Sequence, residues 1–214
     1  FKARLRIFAQ GASLYRGYVG MLQIPEDLNG RVIAITGLDE RPVTGARLWP
    51  AGRNDGARNA ALALAGARAT LEALEKVGVK TAPQVAELYD FPAGADGSGQ
   101  CIGIVERGGG YYPSDLKAYL GFLGLPDVAV TDVGVSGGRN LPGVIEAFDA
   151  EVALDIQLVA GAAPGAAIAV YFAPPHAGGL IDAVETALHD KVLRPGVLSI
   201  GRGLSEDFWL GAPM

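Results

Sequence analysis

Two carboxylates four residues apart, Glu151 and Asp155, mark the segment Phe148-Asp-Ala-Glu-Val-Ala-Leu-Asp-Ile-Gln-Leu-Val-Ala-Gly161. On a helix this spacing rotates one against the other by about 40°, so both emerge on one face. From 151 to 163 the only other polar side chain is Gln157. At the same pitch it points about 240° away from Glu151. No Lys or Arg occurs between Arg139 and Lys191 to neutralise the two acids from nearby sequence. Like charges at this spacing repel, and an apolar setting disfavours ionisation. The pair is therefore expected to hold at least one proton more tightly than water would allow. Such a pair can share and move a proton, as a general base with an orienting partner must. The plain alternative is an acidic patch on a solvated helix face, and spacing alone leaves both readings open.

The elements that must hold this helix are legible as an α/β rhythm over residues 81–214. Cys101–Glu106, Val128–Val135, Ala167–Phe172 and Val197–Ile200 read as strands. Ser114–Leu123, with Ser114 as N-cap, Ala150–Ala163, stopped by Pro164-Gly165, and Gly179–His189 read as helices. Strands apolar on both faces, alternating with helices, predict a mainly parallel sheet covered on both sides. Residues 1–45 form a separate zone. There Tyr18–Ile24 and Arg31–Thr36 read as strands around a helical turn at Pro25–Leu28. That grouping suits part of a small α+β unit and is too short to bury a core alone. Residues 46–80 are Ala-rich between breaker-rich flanks and read as a linker with a marginal helix over Ala57–Lys76.

Composition narrows the function classes. Half of the 214 residues are hydrophobic and 19% are charged, ample material for a buried core. The formal charge is −5 with no basic stripe, so no nucleic-acid partner is expected. No run of 18 apolar residues exists, so no membrane partner or span is expected. Cys101 is the only cysteine and reads as a small buried hydrophobe. His176 and His189 have no metal-ligand spacing to each other or to Cys101, so no metal site is expected from this chain. The turn Gly108-Gly-Gly110 occupies the position of a phosphate loop, but it lacks the full glycine spacing and Glu106 beside it would repel phosphate. A ligand site there would require an open pocket above the three glycines. The chain opens on Phe1 and shows no leader segment, which says little about compartment.

Several segments, in order, resemble the sedolisin (serine-carboxyl peptidase) family. These are Glu151-Val-Ala-Leu-Asp155 with the following Ala-Gly-Ala-Ala-Pro-Gly-Ala and Ile168-Ala-Val-Tyr-Phe-Ala-Pro174. Upstream, Thr81-Ala-Pro-Gln-Val-Ala-Glu-Leu-Tyr-Asp-Phe-Pro92 is similar to the start of the mature enzyme, and Gly99–Tyr111 to its first core strand and glycine turn. Ser199-Ile-Gly-Arg-Gly-Leu-Ser-Glu-Asp-Phe-Trp209 is similar to the substrate-facing strand and its loop. Residues 15–42 resemble the C-terminal part of the family's propeptide.

The resemblance implies a subtilisin-like α/β fold, incomplete here, preceded by part of a small α+β propeptide domain. Residues 1–45 would be the C-terminal part of the propeptide, 46–80 the linker and 81–214 the N-terminal part of the catalytic domain. It implies a Ser-Glu-Asp catalytic set acting on polypeptide substrates in acid. Glu151 would be the general base, Asp155 would orient it, and Glu106 would extend the hydrogen-bond network. Ser199, Gly201, Arg202 and Gly203 would face substrate. A contact between propeptide and catalytic domain, a secreted product, and calcium bound by ligands beyond residue 214 are implied too. The physical logic is that a carboxylate base, with an intrinsic pKa near 4, stays ionised where histidine would be protonated. An aspartic acid protonated at low pH then stabilises the oxyanion in that family.

Two departures qualify the resemblance. The family's serine turn and oxyanion aspartate segment do not occur, and none of Ser13, Ser98, Ser114, Ser136, Ser199 and Ser205 is read as the nucleophile, although Gly134-Val-Ser136-Gly-Gly138 has the Gly-x-Ser-x-Gly spacing. The 214-residue chain is therefore expected to be inactive alone. Gly201-Arg202 stands where the family typically has Ser-Trp. An arginine there would lower the pKa of Glu106 or Glu151 by pairing with it, or would mark a degenerate homologue acting as a binding or inhibitory module.

Overall fold

The computed structural model describes residues 3–10, 13–29, 31, 32, 38, 78 and 80–201. Near the start, β1 (Arg4–Gln10) and β2 (Ser13–Val19) pair antiparallel, with Leu5 opposite Tyr18 and Phe8 opposite Tyr15. A 3-10 turn follows at Glu26–Leu28. The helical turn expected at Pro25–Leu28 is thus present. The strand expected at Tyr18–Ile24 instead ends at Val19, and most of it lies earlier, because its residues close a hairpin with Arg4–Gln10. Most of the expected strand at Arg31–Thr36 and all of the expected helix at Ala57–Lys76 lie outside the described residues.

The rest builds one layered unit. Its elements are α1 (Ala82–Leu88), β3 (Cys101–Arg107), α2 (Pro113–Leu123), β4 (Val130–Gly134), α3 (Glu146–Ala162), β5 (Ala167–Ala173), α4 (Ala177–His189) and β6 (Val197–Ser199). The four strands form a parallel sheet in the order β4-β5-β3-β6. β5, Ala-Ile-Ala-Val-Tyr-Phe-Ala, is buried from Ile168 to Ala173. A strand covered on both faces must be apolar at every position, and this one is.

Helices cover both faces, as the sequence predicts. On one face Ile104, Ile168, Val170 and Phe172 pack with Leu116 and Leu120 of α2 and with Val152, Ile156 and Ala160 of α3. On the other, Val105, Ala169 and Tyr171 pack with Ala183 and Ala187 of α4. Side chains alternate along a strand. Since Ile104 faces α3 and Val105 faces α4, Glu106 lies on the α3 side.

The helix ends have local causes. Thr81 caps α1 through a reciprocal capping box with Gln84, Thr81 N to Gln84 Oε1 at 2.9 Å and Gln84 N to Thr81 Oγ1 at 3.4 Å. α2 starts one residue before the expected Ser114. Tyr112 is its N-cap and Pro113 its first residue, while the Ser114 hydroxyl turns to Asp115 at 3.3 Å. Proline suits that position because its missing N–H would be unbonded there anyway. α3 begins four residues before the expected Ala150, so its first turn carries Glu146 and Asp149, whose charges favour a helix N-terminus. At α4, His176 Nδ1 accepts the N–H of Gly179 at 3.0 Å.

Candidate active site

The site grows from the carboxyl end of the parallel sheet, where open α/β sheets present their ligands. Two contacts fix α3 there. Phe148 lies over the glycine turn that follows β3. A Cβ built on Gly109, whose φ is +76°, would stand 2.7 Å from the Phe148 carbonyl carbon. That turn therefore needs glycine for both its conformation and its clearance. Two turns further along the helix, the Asp155 carboxylate lies against Gly201, two residues beyond β6. A Cβ built there would fall 2.9 Å from Asp155 Cγ and 3.1 Å from Oδ1.

Between these contacts the three sequence-predicted carboxylates occupy one side of the sheet. Glu106 is 1% exposed near the end of β3, opposite Phe172 in register. Glu106 is therefore not a solvated strand-end acid. Glu151 is 9% exposed on α3. Asp155, one turn on, is half-buried, and its Oδ2 is sealed from solvent, as is Oε1 of Glu106. The buried stripe of α3 runs through Val152, Ile156 and Ala160, so the two acids border the helix's sheet-facing side. The acidic patch on a fully solvated face is thus not what forms. Ser199 ends β6 opposite Ile104. Arg202 and Gly203 lie outside the described residues.

Other polar groups, which sequence reasoning missed, hold the glycine turn. Asp149 accepts the N–H of Gly110 at 2.9 Å with Oδ1 and that of Gly143 at 2.7 Å with Oδ2. Asn140 Oδ1 accepts the N–H of Tyr111 at 2.9 Å, and its amide donates to Asp132 at 2.9 Å. The Tyr111 hydroxyl donates to the same Asp132 at 3.1 Å. Burial, then the Asp132 charge, pushes the Tyr111 phenol well above its ordinary range. No motif in the sequence announces these long-range bonds.

A Cβ on Gly109 would meet Phe148, and one on Gly110 would meet Asn140, Leu141 and Pro142. On its other side Gly110 lines a cleft of about 320 Å³ between α2 and α3, together with Tyr112, Asp115, Glu146, Asp149 and Gln157. Neither Glu151 nor Asp155 lines it, so it is separate from the acid pair. Burial, then the charge of Asp190, raises the Cys101 thiol pKa, as expected of a packing residue rather than a nucleophile. Among the described residues no group of three or more His, Cys, Asp or Glu could hold a metal ion, and no helix is long and apolar enough to cross a membrane.

No protein-family model matches the chain. It is 39% identical over 216 residues to kumamolisin of a Bacillus species, an alignment covering 99% of this chain and 37% of that protein. It is 29% identical over 204 residues to the tripeptidyl-peptidase sed5 of Aspergillus fumigatus, covering 87% of this chain and 31% of that protein. A Pseudomonas sedolisin (serine-carboxyl proteinase), solved with two molecules of pseudo-iodotyrostatin, overlays with a TM-score of 0.43 at 24% identity, over 53% of this chain and 32% of the other. The chain spans about a third of the length of the curated relatives it matches. Over the stretch that it shares with them, it belongs to the kumamolisin-like sedolisin family.

Proposed function

We propose that this chain supplies the acid half of a peptidase site acting on polypeptide substrates in acid. Glu151 is the general base toward a serine from another part of the protein. Asp155 orients Glu151, and Glu106 extends the hydrogen-bond network behind it. The observation that carries this reading is the burial of Glu106 and Glu151 on the same side of the sheet, near its carboxyl end. Burying carboxylates costs several kcal/mol unless partners compensate, so burial of two suits a role in chemistry better than one in stability. Ser199 ends β6 beside β3, and Ser199, Gly201, Arg202 and Gly203 would face the substrate main chain. Calcium and secretion belong to the complete protein, and residues 1–45 would act as propeptide against the catalytic unit.

The family's serine turn does not occur among these 214 residues, so this polypeptide alone is expected not to cleave peptide bonds. The test is an assay of the 214-residue chain against an unfolded protein at about pH 4, where a carboxylate base is still substantially ionised. The expected result is no turnover sensitive to a serine-directed inhibitor, and such turnover overturns the inactivity. The same assay on a longer chain carrying the family's serine segment is expected to show acid proteolysis. Failure there favours the second reading, a binding or inhibitory module, which the Gly201-Arg202 departure supports.

A further inference from the structure

We infer that the start of α4 is an acid-released element: the ring of His176 caps it while neutral and lets it go once protonated. The inference stands on this helix alone and bears on the acid-pair reading only through its position beside that site.

His176 Nδ1 accepts the N–H of Gly179 at 3.0 Å. Only an unprotonated ring nitrogen has the lone pair for this bond. Protonation turns the acceptor into a donor that faces another donor. It also sets a positive charge at the positive end of the helix dipole. Both effects act in one direction, and little else supports this turn. It carries no acidic residue, and it contains Gly178 and Gly179, poor helix formers. A Cβ built on Gly179 would overlap the Pro174 carbonyl oxygen, so the chain needs glycine at that position.

The other end of α4 supplies the contrast. His189 Nδ1 lies 2.9 Å from the Glu185 carbonyl oxygen, which can only accept, so this nitrogen carries hydrogen in either charge state. A cation is also favoured at a helix C-terminus. The two histidines of the chain thus sit at the two ends of one helix, and acid weakens the first end but not the last.

The charged groups on the elements around the cap are few. Arg107 ends β3 on the α4 side, opposite Ala173 in register. Arg139 follows Gly138, which packs on Phe172 and Ala173. On α4 itself are Asp182, which receives the Ser136 hydroxyl at 2.6 Å, and Glu185. β5 carries none, and Glu106 lies on the opposite side of the sheet. Arginine stays charged throughout and carboxylates ordinarily titrate near pH 4. Between about pH 5 and 8, histidine is the side chain that changes charge. The connection closed by the cap abuts the glycine turn. Gly108 donates its N–H to the Ala173 carbonyl at 2.9 Å, and a Cβ built on Gly108 would lie 3.6 Å from Pro175. Release of the cap therefore loosens the neighbour of that turn.

The test is amide hydrogen exchange by NMR on the 214-residue chain from pH 8 to pH 5, read beside the His176 ring signals. Rates are expressed as protection factors, so that the intrinsic pH dependence of exchange drops out. Protection at Ile181 and Asp182 is expected to fall about threefold or more, in step with titration of the His176 ring, while that at Thr186 and Ala187 holds. His176→Asp keeps an acceptor over this whole range and should hold protection high at both ends of it. His176→Ala should be low at both, and His189→Gln should respond as the wild type does. Circular dichroism serves as the fold control. Protection that stays constant through the ring titration overturns the inference. So does a fall that persists in His176→Asp, or a His176→Ala chain protected as well as the wild type at pH 8. None of these readings needs catalysis, so they stand or fall apart from the peptidase assignment.

Discussion

Asp149 Oδ1 receives the main-chain N–H of Gly110 at 2.9 Å, joining the first turn of α3 to the turn that ends β3 across 39 residues of sequence. The same carboxylate holds Gly143 with its second oxygen. One side chain thus ties together the glycine turn, the loop before α3 and the helix carrying Glu151 and Asp155.

Asp149→Ala is expected to remove two charge-assisted bonds and cost about 2–4 kcal/mol of stability. Chemical denaturation measures it. Asp149→Asn offers one acceptor oxygen in place of two and should fall between wild type and alanine. A loss below about 0.5 kcal/mol for alanine would show that the two amides find water as readily as the carboxylate.

In a chain that also carries the serine segment, Glu151→Gln is expected to lower kcat about 10²- to 10⁴-fold, the range for losing a positioned base. Asp155→Asn should lower it in the same direction. Substrate binding, read as inhibition by a non-cleaved peptide, should change much less. Retention of full turnover by Glu151→Gln would end the assignment of the general base.

The Tyr171 hydroxyl donates to Asp190 Oδ2 at 3.0 Å, while Asp190 Oδ1 accepts the N–H groups of Val192 at 2.8 Å and Leu193 at 3.0 Å. The main-chain bonds from Leu193 and Val192, then the Tyr171 hydroxyl, hold the Asp190 carboxyl below its ordinary range against the opposing effect of burial. Its contribution is complete above the unfolded value of about 3.9 and is lost as pH falls through the lower folded value. Tyr171 behaves in the opposite sense. Burial, then its bond to Asp190 and the Asp190 charge, raises its phenol. That contribution is complete below about 10 and is lost as pH rises toward the folded value. Melting temperature against pH should lose part of its acid slope in Asp190→Asn and part of its alkaline slope in Tyr171→Phe.

Thr81→Ala should break the capping box and cost about 0.5–2 kcal/mol. The signature is local. Hydrogen exchange should accelerate in the first turn of α1, at Gln84 and Val85, with the amides of β5 unaffected.

β5 was readable because burial on both faces demands an unbroken apolar run, and β3 for a similar reason. The acid pair was readable because two charges four apart interrupt an apolar helix. The hairpin of β1 and β2 was missed because Arg4, Arg6 and Arg16 alternate with apolar residues that remain largely exposed, such as Ile7 and Leu14. For α1 the signal was present in Thr81, Pro83 and Gln84, a capping box with proline in the first turn. Asp149 carried no such signal, since what it bonds is main chain brought close only by the fold. The proximity of Gly201 to Asp155 was hidden likewise, because 45 residues, with the whole of β5, α4 and β6, lie between them.

A single-residue insertion or deletion inside β3 would turn Glu106 toward α4 and offer Val105 or Arg107 to α3 instead. The sheet survives such an indel, its ladder re-forming one step along, while the placing of Glu106 beside α3 does not. Length polymorphism among relatives should therefore collect in the connections, such as that between Leu123 and Val130. A homologue with an altered count between Cys101 and Gly108 would not present its counterpart of Glu106 to α3.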